Sequence, residues 1–287
     1  MIFSLSKLSF DGIFELLRLY LSYGFVRNAL IVSVLVSICA ALLGVVLILK
    51  RYSLLGDGLS HVAFGAAAIA ATLGILDLEI ITLPVTICSA VILLTLSGKK
   101  IMGDAAVAIL STGSLAIGYT IMKIGGGEVN LGGDVCTALF GSQEILASTT
   151  SDVILTASFA LLLIALTFFF RHRLLALTLD ERVARASGTN TTLYDLVIAI
   201  VTATVIVTGM KLAGALLISS LIIFPAMSAM RLCKSFRLSL LLSPIIAAVG
   251  ALFGVIISIV LETPVGATVA AFDILTYIVI HIIKRQI

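Results

Sequence analysis

Residues 28–49 read NALIVSVLVSICAALLGVVLIL, an uncharged apolar run closed by Lys50 and Arg51. A helix needs about 20 apolar residues to cross the hydrocarbon core of a bilayer, so this run is long enough to span it. Similar runs lie near 56–75, 79–97, 104–123, 152–170, 192–209, 213–230, 238–260 and 264–282. The expected fold is an all-α polytopic membrane protein of about nine transmembrane helices. The runs show no period-2 alternation, which excludes an outer-membrane barrel.

Composition points the same way. Of 287 residues 61% are hydrophobic and only 11% charged, with a mean hydropathy of +1.26. Soluble domains carry about 25% charged residues, so too little charge is present to coat a water-facing surface. A soluble enzyme, a disordered tail, a disulfide scaffold and a nucleic-acid binder are thereby excluded. The net charge of +3 does not indicate a polyanion partner, because basic residues mark loops on one side of a membrane. Lys50, Arg51, Lys99, Lys100, Arg171, Arg173, Arg182, Arg185, Arg231, Lys234, Arg237, Lys284 and Arg285 fall on one set of connections. Only Lys7, Arg18, Arg27, Lys123 and Lys211 fall on the other. The imbalance places the C-terminus in the cytoplasm. With an odd number of spans, the N-terminus lies outside.

The connections carry fewer signals. Residues 1–27 lack the cleavage site of a signal peptide, and Ile13, Leu16, Leu17 and Tyr20 recur at helical spacing. An amphipathic helix lying on the membrane is expected there. Residues 124–151 hold Gly125, Gly126, Gly127, Gly132 and Gly133, which suits turns or a re-entrant piece. The longest basic connection, RHRLLALTLDERVARASGTNT at 171–191, has helix formers from Leu177 to Ala186 and a stop signal at Gly188. It reads as a short amphipathic helix, either an ordinary loop helix or a docking piece.

Function must rest on the few polar residues left inside the spans. Asp57-Gly58-Leu59-Ser60-His61 opens the second run. Spacing i, i+4 puts carboxylate and imidazole on one helical face, roughly 10 Å into the membrane at His61. Oxygen and nitrogen donors of this kind suit Zn²⁺, Mn²⁺ or Fe²⁺, and a two-fold dimer would double the ligand set. The alternative is a capping Asp and a His satisfied by a backbone carbonyl. Asp273, in VAAFDILTY, reads as a neutral or hydroxyl-bonded carboxyl, or else as a cation relay. Asp104, Asp195 and Lys211 stand at run ends, where interface placement explains them, and His172 and His281 read as interfacial. Cys39, Cys88, Cys136 and Cys233 form no C-x-x-C pair, so neither a disulfide framework nor a thiolate zinc site is indicated. Gly250 and Gly254 form a GxxxG suited to close packing within the chain. No P-loop, H-E-x-x-H or G-x-S-x-G occurs, so ATP hydrolysis, if used, belongs to another polypeptide.

Four segments together resemble the permeases of bacterial ABC importers for zinc, manganese or iron ions. They are RYSLLGDGLSHVAFG at 51–65, SLAIG at 114–118 with ALFGS at 138–142, LDERVARASG at 179–188, and KLAGALLISSLIIFPAMSA at 211–229. The resemblance implies a permease domain over 28–287 and no enzymatic activity in this chain. Implied partners are a second permease protomer, two cytoplasmic ATPases that bind ATP, an extracytoplasmic metal-binding protein, and the bilayer of the bacterial inner membrane. It assigns Asp57 and His61 to the metal path. It makes 177–188 the coupling helix, with Leu179, Asp180, Glu181, Ala184 and Gly188, and places bending at Gly214 and Pro225. Asp273 lies outside the recognised pattern.

Transport would proceed by alternating access, with the transported Zn²⁺, Mn²⁺ or Fe²⁺ as substrate. Two rival readings remain at this level: an ion-coupled secondary carrier, and an ABC permease for metal chelates.

Overall fold

The computed structural model describes residues 10–75, 78–96, 103–124 and 149–286. They form twelve helices: α1 (Phe10–Ser22), α2 (Gly24–Leu49), α3 (Leu55–Thr72), α4 (Glu79–Leu96), α5 (Gly103–Ile124), α6 (Thr150–Phe169), α7 (Arg171–Leu179), α8 (Glu181–Ala186), α9 (Thr191–Ala213), α10 (Ala215–Leu232), α11 (Phe236–Leu261) and α12 (Val265–Gln286). A helix stands at each of the nine apolar runs. Among the described residues, six helices (α2, α5, α6, α9, α11 and α12) are long and apolar enough to cross a membrane. α4 and α10 contain shorter apolar helices, and α3 is diluted by Asp57, Ser60 and His61. The count of nine crossings is therefore not met by length and composition alone.

α2 forms the centre of the bundle. Fourteen of its 26 residues are buried, and it packs against α6, α9, α10 and α11. A hydrogen bond of 3.0 Å from Ser243 Oγ to the Ala41 carbonyl joins α11 to it, giving the hydroxyl a partner where lipid offers none. Its start at Gly24 precedes the expected boundary at 28, because Asn28 and Arg27 extend the helix without breaking it. α1 packs on α2 and α11, with Leu19 and Leu21 exposed.

Small residues let the helices approach backbone to backbone, the contact that drives association where lipid is as apolar as leucine. A Cβ added at Gly44 of α2 would meet the Ile222 carbonyl oxygen of α10 at 1.9 Å. On α3, a Cβ at Gly65 would meet the Ser114 carbonyl oxygen of α5 at 2.5 Å, and one at Gly118 of α5 would meet the Gly65 Cα at 2.6 Å. Gly250 and Gly254 of α11 face Asp273 and Val269 of α12 in the same manner, so the GxxxG packs within the chain. Cys39, Cys88 and Cys233 are free thiols; Cys136, the ALFGS segment and the glycines of 125–133 lie outside the described residues.

Two connections differ from expectation. The stretch 177–186 is not one helix: Asp180 leaves the helical region at φ −155° and ψ 110°, ending α7 and capping α8. Its carboxylate accepts from the amides of Arg182 and Val183, and local capping of this kind outcompetes helix propensity at an Asp. The break between α9 and α10 is a single residue, Gly214, at φ +85° and ψ 157°.

Replacing Gly65 by Val should cost about 1–3 kcal/mol or more through overpacking against the Ser114 backbone. Gly113→Ala, with open space around its Cβ, should be nearly neutral. Thermal unfolding of the detergent-solubilised protein checks both; equal melting temperatures would contradict the contact.

Candidate metal path

Asp57 and His61 sit where the α2–α3 corner turns the chain. Lys50 ends α2, Arg51 takes a left-handed φ of +64°, and the Tyr52 amide donates to the Leu47 carbonyl at 2.9 Å. α3 then starts at Leu55 with no side-chain cap. Asp57 is thus the third residue of the helix and not its cap, and its charge in the first turn is favoured by the helix dipole. The Ser60 hydroxyl donates to the Asp57 backbone carbonyl at 2.7 Å and leaves the carboxylate free of that bond.

The two side chains come together as the spacing predicts. His61 Nε2 lies 3.7 Å from Asp57 Oδ1, too long for a direct hydrogen bond and short enough for one ion to touch both. Side-chain exposures are 18% for His61 and 42% for Asp57. His61 Nδ1 is buried and has no hydrogen-bond partner among the described residues, so no backbone carbonyl there takes up this nitrogen. The remaining faces of this turn are shut. A Cβ at Gly56 would meet Ile222 Cδ1 of α10 at 2.9 Å, and one at Gly58 would meet Val107 Cγ1 of α5 at 2.4 Å. Leu54, Asp57 and His61 form the strip left partly uncovered. Among the described residues no third His, Cys, Asp or Glu joins them in a group able to hold a metal.

α7 and α8 make an elbow on the same end of the bundle as the α2–α3 corner. Leu174 and Leu177 of α7 and Ala184 of α8 are buried, whereas Leu179 is 73% exposed and Val183 63%. Arg185 bridges Glu181 at 2.8 Å and donates to the Thr191 hydroxyl at 2.9 Å, joining α8 to the start of α9. Gly188, at φ +83°, stops α8 in the left-handed conformation that glycine adopts most readily.

One pairing was not legible in the sequence. Lys50, at the end of α2, forms an ion pair with Asp195 of α9, and their side chains are only 7% and 11% exposed. Asp195 was expected at an interface position and Lys50 on a connection; the structure buries them against each other instead. Their spacing of 145 residues has no local signature. The clasp links the α2–α3 corner carrying Asp57 to the helix that Arg185 holds.

Elsewhere, Pro225 is buried inside α10 and leaves the Leu221 carbonyl without its helical donor. Gly214 holds a backbone geometry essentially restricted to glycine. Asp273 is buried on α12 and rests on Gly250 of α11. His172 is exposed and accepts from Arg171 at 3.3 Å.

Residues 22–284 match the ABC 3 transport family. The chain belongs to that family. It is a multi-pass membrane permease, a translocation component. The manganese import system permease protein ScaB of Streptococcus gordonii is 26% identical over 90% of this chain and 90% of its own length. A protein of Haemophilus influenzae named as a probable iron transport system membrane protein is 27% identical over 94% of this chain and 96% of its own. The solved structure of PsaBC from Streptococcus pneumoniae in complex with Fab superposes with a TM-score of 0.79 at 28% identity, over 93% of this chain and 95% of that one.

Breaking the clasp on one side leaves a buried charge alone. Lys50→Met should cost about 3–5 kcal/mol, and the double variant Lys50→Met, Asp195→Leu should recover most of it. A double-mutant cycle on thermal stability checks this; additive losses would contradict a paired, buried clasp.

Proposed function

We propose that this chain is the translocation subunit of an ATP-driven importer of divalent transition-metal ions, working by alternating access. The observation that carries the reading is the Asp57–His61 pair. Its donors are 3.7 Å apart, His61 Nδ1 is unpartnered, and the turn around them is closed by α5 and α10. Relatives named for manganese and iron transport support the substrate class. One carboxylate and one imidazole are half a coordination shell, and a second protomer across a two-fold axis would complete it. Two carboxylates would neutralise the ion's charge. An incomplete, exchangeable shell also suits conduction, since an ion held by a closed set of ligands leaves slowly.

The α7–α8 elbow is the piece that we assign to ATPase docking. Leu179 and Val183 present apolar surface outward, and Asp180, Glu181, Ala184 and Gly188 shape and anchor the elbow that carries them. A push on α8 passes through Arg185 and Thr191 to α9, then through Asp195 and Lys50 to the α2–α3 corner that holds Asp57. Gly214 and Pro225 give α10 its joint and its bend. In this reading all nine apolar helices cross the inner membrane, the C-terminus is cytoplasmic, and the helix of residues 10–22 lies along the membrane surface. The partners are a second permease protomer, two cytoplasmic ATPases and an extracytoplasmic metal-binding protein. The transported Mn²⁺, Zn²⁺ or Fe²⁺ is the only ligand of this chain, and ATP binds the partner subunits.

Metal uptake into vesicles holding the full transporter tests the ligands. Asp57→Ala and His61→Ala should each reduce uptake by at least about tenfold. Undiminished uptake in both would remove the pair from the path, and uptake without any ATPase would indicate a secondary carrier.

Val183→Asp addresses the elbow. It should abolish uptake and co-purification of the ATPase while the permease melts as wild type does. Retained co-purification with full uptake would move docking elsewhere.

A further inference from the structure

The seam between α10, α11 and α12 holds polar groups that metal passage past Asp57 and His61 leaves unused. Asp273 lies near the middle of α12, is 1% exposed, and neither of its carboxyl oxygens has a hydrogen-bond partner among the described residues. Its Oδ1 rests on Gly250 of α11, so closely that a Cβ there would meet it at 2.1 Å. An ionised carboxylate without a partner in such a seam is strongly disfavoured, whereas the protonated acid is a small neutral group that the seam tolerates.

No cation faces it from the packed elements. α10 carries Arg231 and α11 carries Arg237, both exposed and both at the end of the bundle where Lys284 and Arg285 close α12. The titratable side chains nearest Asp273 along its own helix are Tyr277 and His281, each four residues further on and hence on one face. The Tyr277 ring lies 6.2 Å from Phe224 of α10 and 5.8 Å from the His281 ring. Lys284 Nζ donates to the Leu232 carbonyl of α10 at 2.5 Å. These two pairings set α10 and α12 side by side in the same direction and bring Ser228 level with His281. Ser228 Oγ and His281 Nδ1 are also buried without hydrogen-bond partners. From Asp273 to Lys284, over roughly 16 Å of helix, an acid, a phenol and an imidazole follow one another.

We propose that Asp273 is a proton-binding site, occupied as the carboxylic acid in this conformation, and that Tyr277 and His281 relay its proton to and from the Lys284 end. On release, the carboxyl turns from Gly250 into hydrogen-bond reach of the Tyr277 phenol; its O–H bond breaks as the phenol oxygen accepts the proton and passes its own to the imidazole. His281 then yields one proton to solvent, and no electrons change hands. Protonation favours the packed seam and ionisation demands its hydration, so acid at that end favours the packing of α12 on α11 at Gly250 and alkali loosens it.

Infrared difference spectroscopy of the full chain in lipid nanodiscs, titrated with pH and exchanged into deuterated buffer, tests the site. The wild type should show a protonated-carboxyl band that weakens as pH rises and is absent in Asp273→Asn. Tyr277→Phe and His281→Ala should slow its deuterium shift at least tenfold. Gly250→Ala, which keeps Asp273 and presses on Oδ1, should move the band. Identical carboxyl bands in wild type and Asp273→Asn would overturn the site, as would an unmoved band in Gly250→Ala. A band that neither titrates nor exchanges would show a static buried acid instead. Unchanged exchange in both relay variants would overturn the relay.

Discussion

The close seating of α3 on α5 and α10 is the contact on which the candidate site depends. Gly56 and Gly58 flank Asp57 and leave no space for a Cβ against Ile222 and Val107, and Gly65 meets the backbone of α5 one helical stretch further on. A helix held at three points this tightly cannot rotate to hide its polar strip. Asp57 and His61 are therefore kept on the partly uncovered face, despite the cost of holding polar groups within a membrane-spanning bundle. Packing supplies the preorganisation, and the polar pair supplies the chemistry.

Charge is handled differently at each place it enters the bundle. At the α2–α9 contact Lys50 and Asp195 neutralise each other, which makes that contact costly to break and able to transmit a displacement. At α3 Asp57 and His61 stand 3.7 Å apart on a partly uncovered face. On α12 a lone carboxyl rests against a glycine with no counter-charge. These three solutions lie on different helices, so a change at one can be studied without removing the others.

Much of this was legible in the sequence. Uninterrupted apolar runs located the helices because a bilayer permits little else, and the i, i+4 spacing of Asp57 and His61 placed them on one face. Three features were not legible, for different reasons. The Lys50–Asp195 clasp pairs residues 145 positions apart, a distance at which no periodicity speaks. The break at Asp180 was masked by strong helix formers on both sides, although an Asp followed by Glu181 is also a cap signal. Gly214 fell inside the apolar run near 213–230, close to its start, and nothing there showed that one residue at φ +85° would be the whole connection. Sequence patterns report what a segment prefers alone; these features come from what it meets.

Whether a transported divalent ion passes by Asp57 and His61 is tested most directly by anomalous scattering from manganese in crystals of the assembled transporter, soaked with Mn²⁺ in a state arrested before release. An anomalous peak is expected within coordination distance of both Asp57 and His61, close to the axis of the proposed permease dimer. A strong peak elsewhere in the membrane, with none between these two side chains, would contradict it.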